Sequence, residues 1–221
     1  MKELAQMILM NASAFEWSLQ GMGMLRLHMP NDTRLHVWDS RYRAPGASMI
    51  HDHLQWGLHS TIVAGRLTNC RYVEGEGADY MVRTLKPGYG YFWKEEAKVT
   101  RLFALPPDNY YEGGQYTQRP AEIHETDAMD GTVTFMRKTP TADESARVFW
   151  PVGTEWGSAE PRRATPEEVR DITQFSLDRW FSRRPENLID PDKEKAAQKI
   201  REQAGFERAE WAKDLPTWPL S

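Results

Sequence analysis

Three histidines in two separate strand-like runs constrain this chain more than any other feature. His51 and His53 lie one residue apart in the largely apolar run 50–67, and alternate residues of a strand point to the same face of the sheet. His124 lies in a second β-rich run, 121–136. The spacing predicts a fold in which two strands, distant in sequence, bring three imidazoles to one divalent metal ion and leave coordination positions open.

The alternative interpretation is that these histidines are polar residues on the solvated faces of edge strands. Pro45 and Gly46 precede the histidine pair, and Gly65 marks a turn at the end of the same run. Glycine and proline at both ends are typical of a bounded strand. Together with the distant Ile123-His124 pair, this setting favours a metal site.

The sequence HDHLQWGL at 51–58 resembles the first metal motif of the cupins, and most closely that of the thiol dioxygenases. In the 3-mercaptopropionate dioxygenase branch of that family, HDH is similarly followed by x-x-Trp-Gly. Leu58 stands near the place of the usual cupin glutamate ligand, whose loss is a thiol dioxygenase trait. The second cupin motif corresponds to Ile123-His124, and the resemblance covers roughly residues 24–140.

This resemblance implies a mainly β fold, a single cupin (jelly-roll) β-barrel. It implies a mononuclear non-haem Fe(II) site held by the three histidines, with O2 as co-substrate and a small carboxylate-bearing thiol oxidised to a sulfinate. In cysteine dioxygenases an early-strand arginine binds the substrate carboxylate, and Arg26 lies about as far before the HDH motif. A guanidinium can hold a carboxylate bidentately. Arg41 and Arg43 are alternatives, and a solvated strand position is the other interpretation of Arg26.

One part of the family pattern is missing. Thiol dioxygenases carry a Ser-His-Tyr triad beyond the metal ligands, with its His and Tyr in the strand after the third ligand. The corresponding positions here are Met136 and Lys138, which cannot make the same hydrogen bonds, and no histidine follows His124. We therefore expect the metal site to be shared with that family and leave the substrate open.

Residues close to the histidine pair are candidates for the wall of the site. Gln55 and Trp56 follow His53 and are predicted to bind substrate. His59 is a candidate extra ligand, but six residues of uninterrupted strand span roughly 20 Å. Only a bend at Trp56-Gly57 would return His59 to the metal.

Glu122 and Tyr116 are two further candidates for residues that support the metal site. Glu122 is two residues before His124 and would share its strand face, which suits a fourth ligand or a partner that fixes an imidazole tautomer. Tyr116, in an aromatic turn-rich segment, is a candidate to replace the missing family tyrosine; a surface position is the alternative.

Two other functions remain open at this stage. Zinc, nickel or manganese in the same three-histidine site would act as a Lewis acid in a lyase or isomerase, independently of oxygen. The chain could instead be a non-catalytic cupin that binds a small ligand or a partner protein, with its helical tail as the contact.

The composition excludes several classes of partner. The net charge is −4, and no basic block predicts a nucleic-acid partner. No apolar run approaches 18 residues, which predicts no membrane span. Cys70 is the single cysteine, which excludes an internal disulfide and fits a reducing compartment. Glu3 and Gln6 interrupt the first apolar stretch, so this stretch would make a poor signal peptide. We therefore predict a cytoplasmic monomer or homodimer that acts on a small molecule.

The predicted organisation has three parts. Residues 1–23 form an N-terminal helical segment, 24–140 the barrel with the metal site, and 141–221 an aromatic segment and a two-helix extension packed on the barrel.

Local signals predict the helices and one long loop. A helix is predicted over 2–20, and Thr165-Pro166 with two following glutamates begins another that ends near Ser182. A second helix of the extension is predicted from Asp190 to about Gln203, and 106–118 is predicted as a long loop.

Overall fold

The computed structural model describes residues 1–86, 92–93, 96–141, 145–157 and 160–181 of the chain. Its elements follow in this order: α1 (Lys2–Met10), a 3₁₀ turn (Ala12–Ala14), β1 (Ser18–Gln20), β2 (Met22–Met29), β3 (Thr33–Arg43), β4 (Leu58–Ala64), β5 (Arg66–Lys86), β6 (Phe92–Trp93), β7 (Lys98–Ala104), β8 (Asp108–Tyr111), β9 (Gln115–Gln118), β10 (Ile123–Ala128), β11 (Val133–Lys138), β12 (Ala146–Pro151), β13 (Arg162–Arg163) and α2 (Pro166–Trp180). The fold is therefore mainly β, as predicted.

The described strands form two antiparallel sheets. The first sheet has the order β13-β1-β2-β3-β11-β4-β9. In the second sheet, β5 pairs with β10, β12, β6, β7 and β8. Among the described residues these strands do not close into one barrel, so the jelly-roll arrangement stays a prediction.

One face of the first sheet is covered by the helices. Its strands alternate in side-chain direction, and the buried apolar side chains on this face include Leu25, Leu27, Leu35, Val37, Val133 and Phe135. Ile8 of α1 and Val169 and Ile172 of α2 belong to the same core cluster. Apolar burial at these positions is what holds the helices on the sheet.

The opposite face of the first sheet carries arginines and histidines beside apolar side chains, and it faces a cavity. Arg26 and His28 of β2, Arg34 and His36 of β3, and Met136 of β11 all line this cavity. Residues of the second sheet line it from the other side, among them Leu85, Thr126, Ala146 and Val148. The cavity therefore lies between the two sheets.

The histidine pair does not belong to a continuous strand, contrary to the prediction for 50–67. Residues 50–57 precede β4 and are held by main-chain hydrogen bonds on two sides. The backbones of His51 and His124 exchange N–H···O bonds of 3.0 and 2.9 Å, and the Asp52 N–H donates to the Arg147 carbonyl at 3.0 Å. This histidine-pair segment thus lies between β10 and β12.

Two element predictions are wrong. The helix predicted over 2–20 ends at Met10, where the Asn11 side chain donates to the Met7 carbonyl at 2.9 Å, and residues 18–20 form β1 instead. The predicted loop 106–118 contains β8 and β9. These short strands pair with β5 and β4 in different sheets, a pairing that local sequence does not encode.

The prediction for the helix after Thr165 is confirmed. The Thr165 hydroxyl accepts a hydrogen bond from the Glu168 N–H, and the Glu168 carboxylate accepts one from the Thr165 N–H. Pro166 is the first helical residue. This capping box satisfies two of the main-chain N–H groups at the helix start. The second predicted helix, Asp190 to Gln203, lies outside the described residues.

Within the described part of the chain, neither α1 nor α2 has the length and apolar character that a membrane-spanning helix requires.

Gly65 links β4 to β5 in a conformation that only glycine adopts readily. Its φ is +88°, and an added Cβ would lie 2.5 Å from the Thr132 hydroxyl oxygen. That hydroxyl donates to the Arg66 carbonyl at 2.9 Å. The turn therefore requires both a positive φ and the absence of a side chain.

We expect Gly65→Ala to lower the free energy of unfolding by about 1–3 kcal/mol, because it combines backbone strain with a clash against Thr132. Urea denaturation would measure the loss. Gly113→Ala is the matched control, since Gly113 has φ +84° with no atom within 4 Å of an added Cβ. Equal losses in the two variants would show that strain alone, and not the contact with Thr132, determines the cost.

Candidate metal centre

His51, His53 and His124 converge at the wall of the cavity. The ring centroids of His51 and His124 are 4.3 Å apart, those of His51 and His53 4.9 Å, and those of His53 and His124 5.4 Å. One nitrogen from each ring lies within 4.8 Å of the others. These three side chains could hold one metal ion, and the reciprocal main-chain bonds between His51 and His124 bring the two distant segments together.

Main-chain carbonyls fix two of the three imidazole tautomers. Nδ1 of His51 lies 2.9 Å from the Met49 carbonyl oxygen, and Nδ1 of His124 lies 3.0 Å from the Glu122 carbonyl oxygen. A carbonyl only accepts, so each Nδ1 carries the proton and Nε2 keeps its lone pair. Metal-binding histidines in proteins are oriented in the same way.

The three imidazoles are neutral at physiological pH. Burial, together with a smaller contribution from the charge of His51, lowers the pKa of His124 to about 3. Burial also lowers the pKa of His51 and holds that of His53 well below its usual range. Neutral rings with free lone pairs suit a divalent transition metal.

Asp52 anchors the histidine-pair segment from behind. Its carboxylate is fully buried, accepts a 2.9 Å bond from the Arg147 N–H and lies 2.6–2.7 Å from the Arg147 guanidinium. A second carboxylate, Glu74, lies 2.7 Å from the same guanidinium. Because Asp52 stands between His51 and His53 and points away from them, this ion pair orients both rings without occupying the metal site.

The cavity has a volume of about 190 Å³. Its walls carry two arginines, Arg26 and Arg34, and none of the described residues that line it is Asp or Glu. Four methionines also line it, Met22, Met24, Met49 and Met136. The walls are therefore apolar and cationic, which favours a small anionic ligand.

Trp56 lies between the metal site and the cationic wall. Its indole stacks on the imidazole of His53, with ring centroids 3.6 Å apart. The Arg34 guanidinium lies 5.6 Å and the Lys138 amine 5.7 Å from the Trp56 ring. Trp56 is thus at the pocket wall, where the sequence predicted it.

Arg34 is a site residue that sequence reasoning missed, and Lys138, considered only as the position of the missing family tyrosine, lies near the same Trp56 ring. Burial is the largest cause of the lowered pKa of His53, followed by the neighbouring histidines. The positive charges of Arg34 and Lys138 lower it further, whereas Arg26 is not among the groups that do so. Arg26 lines the cavity elsewhere, with its Nε donating to the Ser18 hydroxyl at 3.3 Å. The alternation of side chains along β3 could have found Arg34. It is adjacent to the apolar Leu35, which faces the helices, so Arg34 faces the opposite side of the sheet.

Several predicted site residues are placed away from the three histidines. The side chains of Gln55 and His59 are exposed and do not line the cavity. The Glu122 carboxylate accepts a 3.1 Å bond from the Arg119 N–H and lies 3.7 Å from Arg71. Glu122 does fix the His124 tautomer, but through its main-chain oxygen.

Tyr116 reaches the cavity wall from β9. Ser60 on β4 and Thr126 on β10 line the same cavity, and hydrogen bonding from their hydroxyls would partly offset the rise in the pKa of Tyr116. Burial raises the pKa of Tyr116, so its hydroxyl stays protonated at neutral pH. Ser60 and Thr126 can both donate to the phenolic oxygen, which leaves the Tyr116 proton for a ligand. Met136, at the missing triad-histidine position, also lines the cavity.

Four residues of the cavity wall carry buried polar atoms that have no hydrogen-bond partner among the described residues. They are Gln20 Oε1, His36 Nε2, Trp38 Nε1 and Trp56 Nε1. An unpaired buried polar group costs about 1–3 kcal/mol of stability. Such groups concentrated around one cavity indicate a site in which a ligand takes part.

No protein-family model matches this chain, and no curated protein is significantly similar to it in sequence. The functional argument therefore depends on the geometry of the site.

We expect Asp52→Asn to weaken Zn²⁺ or Co²⁺ binding by about 10–100-fold, because the rings of His51 and His53 lose the ion pair that orients them. The unfolding free energy should also fall, by about 1–3 kcal/mol, since the hydrogen bonds with Arg147 lose their charge. Metal titration followed by denaturation would measure both effects.

Asp79→Asn is the control for that substitution. Asp79 pairs with Arg101 at 2.6 Å, but both side chains are about half exposed, so its loss should cost less than about 1 kcal/mol. Unchanged metal affinity in Asp52→Asn would contradict the positioning role of the ion pair.

Proposed function

We propose that this protein is a mononuclear non-haem iron dioxygenase of the three-histidine cupin type, acting on a small thiol that carries a carboxylate. The observation that supports it most strongly is the convergence of three neutral imidazoles on a cavity whose described lining residues include two arginines and no Asp or Glu. The HDH-x-x-Trp-Gly motif and the absence of a glutamate ligand agree with this class.

Iron held by His51, His53 and His124 would supply the redox chemistry that couples O2 to the thiol sulfur. The overall reaction is RSH + O2 → RSO2H, in which the sulfur loses four electrons and both oxygen atoms enter the sulfinate. Three neutral ligands leave the charge of the ion uncompensated, so an anionic substrate is favoured at this end of the cavity.

Arg34 is the residue we propose to hold the carboxylate beside the metal. Its guanidinium stands over Trp56, whose ring stacks on His53. Lys138 lies on the same side of the site, with its amine 3.9 Å from the Asp32 carboxylate. A charge-assisted bond from Arg34 would orient the substrate while Trp56 excludes water.

Tyr116 is the residue we propose to take over the role of the missing family tyrosine. Its protonated hydroxyl, supported by Ser60 and Thr126, can donate to an oxygen of the reacting group. The donor comes from β9, before the third ligand, whereas the family places it after that ligand.

Metal analysis tests the first part of the proposal. We expect the purified protein, reconstituted anaerobically with Fe(II), to hold close to one iron per chain and His124→Ala to lose it. His59→Ala is the matched control, because His59 is exposed and does not line the cavity; it should retain the metal. Retention of iron by His124→Ala, or its loss in both variants, would contradict the assigned ligands.

Oxygen uptake tests the reaction itself. The iron-loaded protein should consume one O2 per sulfinate formed with at least one small thiol acid, such as 3-mercaptopropionate or cysteine. No uptake with any such thiol would overturn the dioxygenase. Zinc, nickel or manganese as the bound metal, with no oxygen consumption, would instead favour Lewis-acid chemistry.

We expect Tyr116→Phe to lower kcat by about 10–100-fold with unchanged iron content and little change in KM, because the hydroxyl acts in the reaction and not in binding. Steady-state oxygen-electrode kinetics would separate kcat from KM. Tyr110→Phe is the control. The ring centroids of Tyr110 and Tyr116 are 4.8 Å apart, but Tyr110 does not line the cavity. A rise in KM alone would assign Tyr116 to substrate binding.

A further inference from the structure

Three hydrogen-bonding side chains of the first sheet share one part of the cavity wall. Gln20 on β1 and His36 and Trp38 on β3 all line the cavity. Oε1 of Gln20, Nε2 of His36 and Nε1 of Trp38 are buried, and none of them has a hydrogen-bond partner among the described residues. His36 and Trp38 are each more than nine-tenths buried. We call these three residues the Trp38 cluster.

Strand pairing places the members of the Trp38 cluster close to one another. His36 and Trp38 are alternate residues of β3, so they face the same side of the sheet, and their ring centroids are 6.2 Å apart in an edge-to-face arrangement. Met24 of β2 pairs with Gln20 on one side and with Trp38 on the other. A thioether is only a weak acceptor, and Met24 leaves both polar atoms without a hydrogen bond.

The Trp38 cluster is separate from the residues beside the metal. At about 3.3 Å per residue, the backbone of His36 lies roughly 7 Å, and that of Trp38 roughly 13 Å, along β3 from Arg34. The charge of Arg34 lowers the pKa of His53, but His36 is not among the groups that do so. Conversely, none of the three metal-site histidines contributes to the lowered pKa of His36. A ligand therefore meets the cluster with a different group from the one beside the metal.

The polar atoms of the cluster specify the kind of group that they bind. The Trp38 N–H only donates, so the ligand atom needs a lone pair, which excludes an ammonium group. The Gln20 oxygen only accepts, so the ligand also has to donate, which excludes a carboxylate. Burial, followed by the charges of Arg34 and Arg26, holds the pKa of His36 well below its usual range. The imidazole is therefore neutral and offers a donor or an acceptor according to its tautomer.

A hydroxyl or a primary carboxamide meets all of these requirements, because each is neutral and both donates and accepts hydrogen bonds. Either group also fits the opposite orientation of the Gln20 amide, in which the nitrogen takes the place of the oxygen. The cluster thus complements a neutral polar group better than an ion of either sign.

We propose that the substrate carries a neutral group that both donates and accepts hydrogen bonds, a hydroxyl or a carboxamide, and that the Trp38 cluster binds this group. The inference rests on the proposed function and narrows its substrate from a simple thiol acid to a thiol acid with a second, neutral polar group. Binding at the cluster satisfies buried polar atoms of the wall and fixes a second point of the molecule, which orients the thiol toward the three histidines.

Thiol-free acids test this inference without turnover. The probes are 4-hydroxybutyrate, 5-hydroxypentanoate and 6-hydroxyhexanoate, the monoamides succinamate, glutaramate and adipamate, and the dicarboxylates of the same lengths. Each is compared with the unsubstituted acid of equal chain length by calorimetric titration of the full-length protein, as purified and after EDTA treatment. We expect at least one hydroxy acid or monoamide to bind at least about fivefold more tightly than its unsubstituted acid in both preparations, because it gains hydrogen bonds to the cluster.

Substitutions assign the contact. Trp38→Phe removes the indole N–H and keeps an aromatic ring, so it should cancel the preference and leave binding of the unsubstituted acid nearly unchanged. Gln20→Met, which is similar in size, should also reduce the preference. Trp180→Phe is the matched control, because the Trp180 N–H likewise has no partner among the described residues but does not line the cavity; this variant should keep the preference.

Nitrogen–proton NMR gives a readout that is independent of affinity. The indole signal that is missing from the spectrum of Trp38→Phe belongs to Trp38. We expect it to move to lower field when the preferred acid is added, as the N–H forms a hydrogen bond, and to move less with the unsubstituted acid. A gain for the hydroxy acids alone, or for the monoamides alone, identifies which of the two groups the cluster binds.

Three results would overturn the inference: no hydroxy acid or monoamide exceeds its unsubstituted acid, Trp38→Phe and Gln20→Met both keep the preference, or a dicarboxylate binds more tightly than the hydroxy acid and monoamide of its length and loses this advantage in Trp38→Phe. The last result would mean that the cluster binds an anion. The titrations need neither metal nor turnover. Absence of iron or of oxygen uptake therefore contradicts the proposed function alone, and absence of the preference contradicts this inference alone.

Discussion

The candidate metal centre depends on the ion pair between Asp52 and Arg147. A fully buried carboxylate requires compensation, and Arg147 supplies both its guanidinium and its main-chain N–H. This pair holds one side of the histidine-pair segment against β12, while the reciprocal hydrogen bonds of His51 and His124 hold the other side against β10. A short segment outside the regular strands is therefore as firmly placed as a strand, and its two imidazoles face the cavity.

Alternate side chains of the first sheet point to opposite faces, and the two faces have different surroundings. On one face, Leu25, Leu35 and neighbouring apolar side chains bury themselves against the helices. On the other face, arginines and histidines line the cavity. Both faces are largely buried, so the polar face is costly unless its charges find partners. Neutral imidazoles reduce the cost, and an anionic ligand would reduce it further.

Electrostatics connects the metal centre with the rest of the cavity. Three neutral histidines contribute no negative charge to a divalent ion, and the described walls of the cavity contain no carboxylate. Arg26 and Arg34 add positive charge of their own. Together these positive charges favour the carboxylate-bearing substrate that we propose.

The sequence by itself determined the features that depend on local periodicity. The capping box of Thr165 depends only on the residues of one helical turn. The i, i+2 spacing predicted that His51 and His53 face one metal ion, although tertiary contacts and not a regular strand place them there. Tertiary structure decided which other side chains reach the site. Arg34 and Tyr116 line the same cavity as the histidines only because β3 and β9 take particular neighbours in the first sheet. Strand pairing over long sequence separations sets those neighbours, and no local pattern encodes it.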